Sequence, residues 1–200
     1  IANALSSAML PNIAAAKARG DQSGILNKAQ MTVKVTMIIA IPCTVGLAVL
    51  GGPVIQLIFG TSALYPELAG DLLLYGSAFV LFFALSTVTN ALLQATDYLR
   101  YPVTHSIIAL IIHTVLAFVL LWFFDLKVWS LMISTVAFAV VLCILNGIVL
   151  YRKVGFRIRV RDTILIPLAA AGCMGVMCWG SYYILHYLTK SNTIGFLVSF

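Results

Sequence analysis

VTHSIIALIIHTVLAFVLLWFF (Val103–Phe124) and VWSLMISTVAFAVVLCILNGIVL (Val128–Leu150) stand on either side of three residues, Asp125–Lys127. Neither run contains Asp, Glu, Lys or Arg. Each is longer than the roughly 20 residues a helix needs to cross the hydrocarbon core of a bilayer. Neither shows the strict two-residue alternation that a membrane barrel strand requires. The pair reads as two transmembrane helices joined by a tight hairpin.

Three further runs are long enough to span: Met31–Leu50, Asp71–Leu93 and Thr163–Tyr187, with a partial helix at Ile1–Ala16 and the start of another at Thr193–Phe200. Apolar residues make up 62% of the chain and charged residues 9%, with a mean hydropathy of +1.07. A water-soluble fold of this composition would present an almost uncharged surface and aggregate, whereas lipid as solvent removes the problem. The expectation is an all-α, polytopic transmembrane bundle. The chain opens on Ile1 with no basic leader and closes at Phe200, a few residues into a new apolar run, so both ends are expected to be truncations.

The connections set the orientation. Assigned alternately to two sides, one side collects ten basic residues: Lys17, Arg19, Lys28, Lys34, Arg100, Arg152, Lys153, Arg157, Arg159 and Arg161. The other collects only Lys127 and Lys190. The positive-inside rule then places the connections 17–28, 94–102 and 151–162 in the cytoplasm, where they would meet anionic membrane lipids. The net charge of +6 thus belongs to membrane-facing loops. No basic and aromatic stripe of the kind that binds nucleic acid is present. In Gly51–Gly70 the PVIQLIFG portion (53–60) is expected to form a short interfacial helix ahead of a loop at Tyr65–Glu67, and Pro42 is expected to kink its span.

Chemistry inside a membrane needs polar groups at membrane depth. All six acids (Asp21, Glu67, Asp71, Asp97, Asp125 and Asp162) fall in connections or at span ends. Lys34 enters a span by about one turn, close enough to snorkel back to the interface. Thr87, Asn90 and Gln94 recur at helical spacing and share one face, so they either line a hydrated cavity or bond a neighbouring helix. His113 lies near mid-span. His105 lies near the cytoplasmic end; each histidine either bonds a backbone or hydroxyl partner or relays protons, and Asn146, close to the cytoplasmic end, has the same ambiguity. Thr87, Asn90, Gln94 and His113 are the candidate cavity residues. Ala4/Ala8 and Ala171/Gly175 are small-residue pairs that let helices approach. Cys43, Cys143, Cys173 and Cys178 have no ligand spacing and read as packing residues. No hydrolase, nucleotide-binding or zinc motif occurs; no catalytic residue, metal site or cofactor is assigned, and the chain does not read as an enzyme.

The segment ALSSAMLPNIAAAKARGD (Ala4–Asp21) resembles the helix end that recurs in the multidrug/oligosaccharidyl-lipid/polysaccharide exporter superfamily, where a small-residue helix passes a Leu-Pro pair and exits into a cytoplasmic turn. IAIPCTVGLAVLGGPVIQLIFG (Ile39–Gly60), the YPE at Tyr65–Glu67 and TNALLQATDYLRYPV (Thr89–Val103) continue the likeness over roughly the first 160 residues. It is closest to the polysaccharide-biosynthesis and stage V sporulation protein B-like branch, which is similar to the MurJ-type lipid II flippases. The resemblance implies a fold of about fourteen helices in two lobes around a central cavity. The chain would cover most of the C-terminal lobe and work together with an N-terminal lobe of the same protein. It implies a flippase that moves a lipid-linked sugar or peptidoglycan precursor across the cytoplasmic membrane by alternating access. FFDLKVWSLM (Phe123–Met132) lacks the glycines common at that turn, and no span contains an arginine matching those that face a lipid pyrophosphate. A cation-coupled antiporter of the same superfamily would need an intramembrane carboxylate. A membrane-embedded envelope-sugar enzyme would need a large acidic outer loop, which Gly51–Gly70 does not supply.

Overall fold

In the computed structural model the described residues are 2–59, 66–124 and 127–189. They form six α-helices: α1 (Ala2–Ala18), α2 (Gln22–Phe59), α3 (Pro66–Ala95), α4 (Arg100–Phe124), α5 (Val128–Val149) and α6 (Ile166–Thr189). Single π-helical turns, Leu150–Val154 and Arg161–Leu165, extend the end of α5 and open α6. No strand occurs among the described residues. Five of the helical stretches are long and apolar enough to cross a membrane. The chain is an all-α, multi-pass membrane protein.

The helices are longer than the apolar runs. α2 has 38 residues, about 57 Å at 1.5 Å per residue, against a hydrocarbon core of about 30 Å. It begins at Gln22, which shortens the expected 17–28 connection to the turn Arg19–Asp21. It also runs unbroken through Pro42 and Pro53 to Phe59, so residues 53–59 are the end of α2 and not a separate interfacial helix, and Gly60 lies outside the described residues. The Gly51–Gly52 pair explains the difference. A Cβ on Gly51 would lie 3.2 Å from Leu73 Cβ, and one on Gly70 would lie 3.3 Å from Gly52 Cα. These glycines bring the backbones of α2 and α3 together and do not turn the chain. Pro66 opens α3, while Tyr65 lies outside the described residues, as do Asp125 and Leu126 of the hairpin, Lys190 and the 193–200 run.

One end of the bundle carries the basic connections and is tied together by polar contacts. α1 ends in a Schellman turn: Gly20, at φ +70, donates to Lys17 O and Asp21 N–H donates to Ala16 O. Asp97, at φ +61, repeats the arrangement after α3, with Asp97 N–H on Gln94 O and Tyr98 N–H on Leu93 O. The Lys17 ammonium donates to Thr96 O (2.5 Å) and to Asp97 Oδ2 (2.6 Å), joining the two turns. Gln22 Nε2 donates to Val154 O (2.8 Å), and Gln30 Nε2 donates to Thr163 Oγ1 (2.9 Å). The segment 155–159 between α5 and α6 is thereby held against α2.

Beneath these contacts lies the apolar core. Ile25, Ala29, Val33, Met37 and Ile41 recur every four residues on α2 and are all buried, forming one ridge along the helix. They pack with Ile13 and Ala16 of α1, Val88 and Leu92 of α3, and Phe156 from the connection. α4 packs chiefly on α5; most of its large apolar side chains, Ile111, Val115 and Phe118 among them, stay exposed.

Of the two small-residue pairs, Ala171/Gly175 is seated on α2 while Ala4 and Ala8 are exposed. A Cβ on Gly175 would come within 2.7 Å of Val45 Cγ1. Gly175→Leu is therefore expected to lever α6 from α2 and destabilise the bundle by about 1–3 kcal/mol, read as a lowered unfolding midpoint in detergent. At the basic end, the Gly24 N–H and the Ser23 hydroxyl both donate to Asp21 Oδ1 (2.8 Å each) and hold its carboxyl below the usual range, with smaller help from the charges of Arg19 and Lys28. A depressed pKa contributes stability above the unfolded value and loses it as pH falls through the folded one. An NMR titration of the Asp21 carboxyl should thus show a midpoint under 3.8, moving upward in Ser23→Ala.

Candidate functional site

A polar face on a membrane helix has to be satisfied or hydrated. The stretch Ser86–Gln94 of α3 carries the densest such face. Ser86 and Thr87 spend their protons on Phe83 O at 2.9 and 2.8 Å, and Thr89 spends its own on Leu85 O and Ser86 O (2.9 Å each). The side chains of Asn90 and Gln94 bond no carbonyl of their own helix. They need partners outside their own helix.

Asn90 finds part of its answer in Asn146, which is completely buried on α5. Asn146 Nδ2 lies 2.8 Å from Asn90 Oδ1 and 3.3 Å from Thr89 Oγ1, and Asn146 Oδ1 lies 2.8 Å from His105 Nδ1 on α4. The direction of each bond follows from Thr89. Its proton is already committed, so towards Asn146 it can only accept. Asn146 therefore donates to Thr89 and Asn90 and turns its carbonyl oxygen to His105, whose Nδ1 carries the hydrogen. Three helices are locked through one amide. With its oxygen taken, Asn90 retains two Nδ2 donors that no other described residue claims.

Asn90 also lines a cavity of about 400 Å³ together with Thr87 and Gln94. Ser7 and Leu10 of α1, Ser106 of α4 and Phe138 of α5 are among its other wall residues, and no ionisable side chain lines it. Gln94 is exposed. The available hydrogen-bonding groups are amides and hydroxyls, suited to neutral polar ligands such as sugars or peptide amides. Ser106 was not a sequence candidate. It comes from another helix, and spacing along one helix carries no signal for a residue that meets the face from across a groove.

His113 does not line this cavity. Its Nε2 lies 3.5 Å from Thr135 Oγ1, and its ring meets Phe138 edge-on at 6.0 Å between centroids. It braces α4 against α5 behind Phe138. Lys34 on α2 is exposed and makes no contact with the cavity.

A family model described as lipid II flippase MurJ matches residues 1–200. The chain belongs to the MurJ family. A curated relative, the lipid II flippase MurJ of Bacillus subtilis (strain 168), is 26% identical over 179 residues, which cover 88% of this chain and 32% of that protein. The chain thus spans about a third of the length of the relative it matches. No solved structure gives a significant match.

Within this piece of a MurJ-family protein, the Asn146 lock is the structural device nearest the cavity. Replacing Asn146 by Leu keeps its bulk but strands the His105 Nδ1–H and the Asn90 oxygen. A buried group left without a partner costs about 1–3 kcal/mol, so Asn146→Leu should lower the unfolding midpoint clearly. A His105→Phe and Asn146→Leu double-mutant cycle should return a coupling energy above about 0.5 kcal/mol; additive losses would show that the two side chains do not act together.

Proposed function

We propose that the chain is most of the C-terminal lobe of a flippase that carries a lipid-linked sugar or peptidoglycan precursor across the cytoplasmic membrane. The observation that carries this reading is an uncharged, amide-lined cavity set among membrane-spanning helices of a MurJ-family chain. A headgroup rich in hydroxyls and amides can be held there by hydrogen bonds that exchange readily with water, which suits transit better than tight binding does.

The basic end, with its 10-to-2 excess of Lys and Arg, faces the cytoplasm in this reading. The exposed arginines of the 151–162 connection lie against anionic lipid headgroups there. Transport runs by alternating access: this lobe and an N-terminal lobe of the same protein rock about a cavity near the midplane. The Asn146 lock keeps α3, α4 and α5 together as one body during that motion, so the donors of Asn90 hold their place on the cavity wall. Substrate phosphates are met by groups of the other lobe, since this cavity wall has no cation.

The antiporter reading of the superfamily calls for a carboxylate at membrane depth, and none of the chain's six acids is placed at mid-span. Depleting the intact protein should leave its lipid-linked precursor accumulating on the cytoplasmic face, and normal translocation under depletion would refute the flippase reading. The triple variant Thr87→Ala, Asn90→Leu, Gln94→Leu should cut translocation at least tenfold at unchanged abundance. Wild-type rates in that variant would remove these three residues from the substrate path.

A further inference from the structure

A second cavity, of about 380 Å³, lies at the basic end and shares no wall residue with the first. Its sides are Thr89 of α3, Gly147 and Leu150 on the last turns of α5, Tyr151, and Phe156, Arg157 and Ile158 of the connection to α6. Three features set it apart from a packing defect.

The walls are almost entirely apolar, yet the cleft sits where the chain leaves the membrane. Phe156 is buried in the main core and Ile158 packs against it, so the connection is anchored and the cleft is a fixed feature of the fold. Gly147 faces open space: a Cβ built there meets no atom within 4 Å.

At the same place the chain concentrates positive charge. Arg152, Lys153, Arg157, Arg159 and Arg161 are all exposed, and Asp162 is the single acid of the segment. Among the described residues the one ion pair is Lys17–Asp97, so none of these five cations is paired with a described carboxylate.

Arg157 is also aimed. Its Nη2 donates to the Tyr151 hydroxyl at 2.6 Å, and the guanidinium lies over the Tyr151 ring at 5.0 Å from the centroid. This fixes a planar donor array at the cleft while using one of its five N–H groups, which leaves the others for an anionic oxygen acceptor. A pre-oriented guanidinium above an apolar slot, at a membrane surface, matches the two halves of one kind of molecule.

We propose that this cleft is a binding site for an anionic phospholipid, with the phosphate on Arg157 and an acyl chain seated against Leu150, Phe156 and Ile158. The proposal rests on the cytoplasmic placement of the basic end given above and not on the transport activity. A water-soluble phosphate would satisfy the arginine but leave the apolar slot empty. A zwitterionic lipid would fill the slot but present its own cation to an already positive rim.

The test is binding of a fluorescent phosphatidylglycerol to the intact purified protein in neutral detergent, a readout independent of translocation and of orientation. Unlabelled phosphatidylglycerol should displace the probe, and equal concentrations of phosphatidylcholine or glycerol 3-phosphate should not. Arg157→Gln should raise the dissociation constant about tenfold, the loss of one charge-assisted contact. Gly147→Leu, which places a side chain in the open slot, should weaken binding by a similar factor, while Lys127→Gln at the opposite end should leave it unchanged. Tyr151→Phe keeps the ring and removes only the hydroxyl, and should give a smaller loss. Wild-type affinity in Arg157→Gln would overturn the proposal, and so would equal displacement by phosphatidylcholine. Displacement by glycerol 3-phosphate together with unchanged affinity in Gly147→Leu would show a phosphate site with no acyl chain, and would overturn it as well. Absence of translocation by the wild-type protein with lipid binding intact would count against the flippase reading alone.

Discussion

A backbone amide or side-chain hydroxyl inside hydrocarbon has no water to bond, so each must find its partner within the protein. The helices discharge the backbone. The hydroxyls follow the same rule locally: Thr32, Thr36, Thr44, Thr104 and Thr114 all return their proton to the carbonyl four residues earlier. What this local solution leaves over is a short set of longer polar side chains, Asn90, Gln94, His105 and Asn146, which bond no carbonyl of their own helix. Their needs shape the bundle. Asn146 and His105 are spent on holding three helices together, and Asn90 and Gln94 are left facing a cavity.

The two ends of the bundle are joined by different means. At the basic end, long polar side chains reach across: Lys17 to the turn after α3, Gln22 to the π-helical turn beyond α5, Gln30 to the start of α6. These contacts lie near water, where each adds little stability but fixes which connection sits beside which. Towards the opposite end, α2 and α3 meet through Gly51, Gly52 and Gly70, where closeness of the backbones replaces side-chain chemistry. Dispersion over a close contact is the main source of helix association in lipid, since burial there removes no water. The polar contacts at one end tie α1 to the turn after α3 and α2 to both ends of the α5–α6 connection, while the glycine contact at the other joins α2 to α3.

Both cavities are made by several helices, and their chemistry differs. One is lined by amides and hydroxyls with no charge, the other by apolar groups under an oriented arginine. In the functions proposed above, the first would meet a headgroup in transit and the second a lipid that stays. The separation follows from membrane depth: an arginine is tolerated where its charge can reach the interface and is costly where it cannot.

Hydropathy and charge were enough to read the class of fold and the basic end, because span length and the absence of charge are imposed by the bilayer itself. The shared face of Thr87, Asn90 and Gln94 was legible for a related reason: helical periodicity is a local property. Helix ends were less so. The Gly51–Gly52–Pro53 run reads as a break, and only packing against Gly70 and Leu73 shows it to be a contact surface within one long helix. Pairings between helices were not legible at all. His105 and Asn146 are 41 residues apart, and nothing in either neighbourhood announces the other; His113 resembles a cavity residue until Thr135 and Phe138 are seen beside it. The sequence by itself determined that this chain crosses a membrane as helices and which end bears the charge. Which polar side chains are consumed in joining those helices, and which are left facing a cavity, was decided only when separate helices were brought within hydrogen-bonding distance.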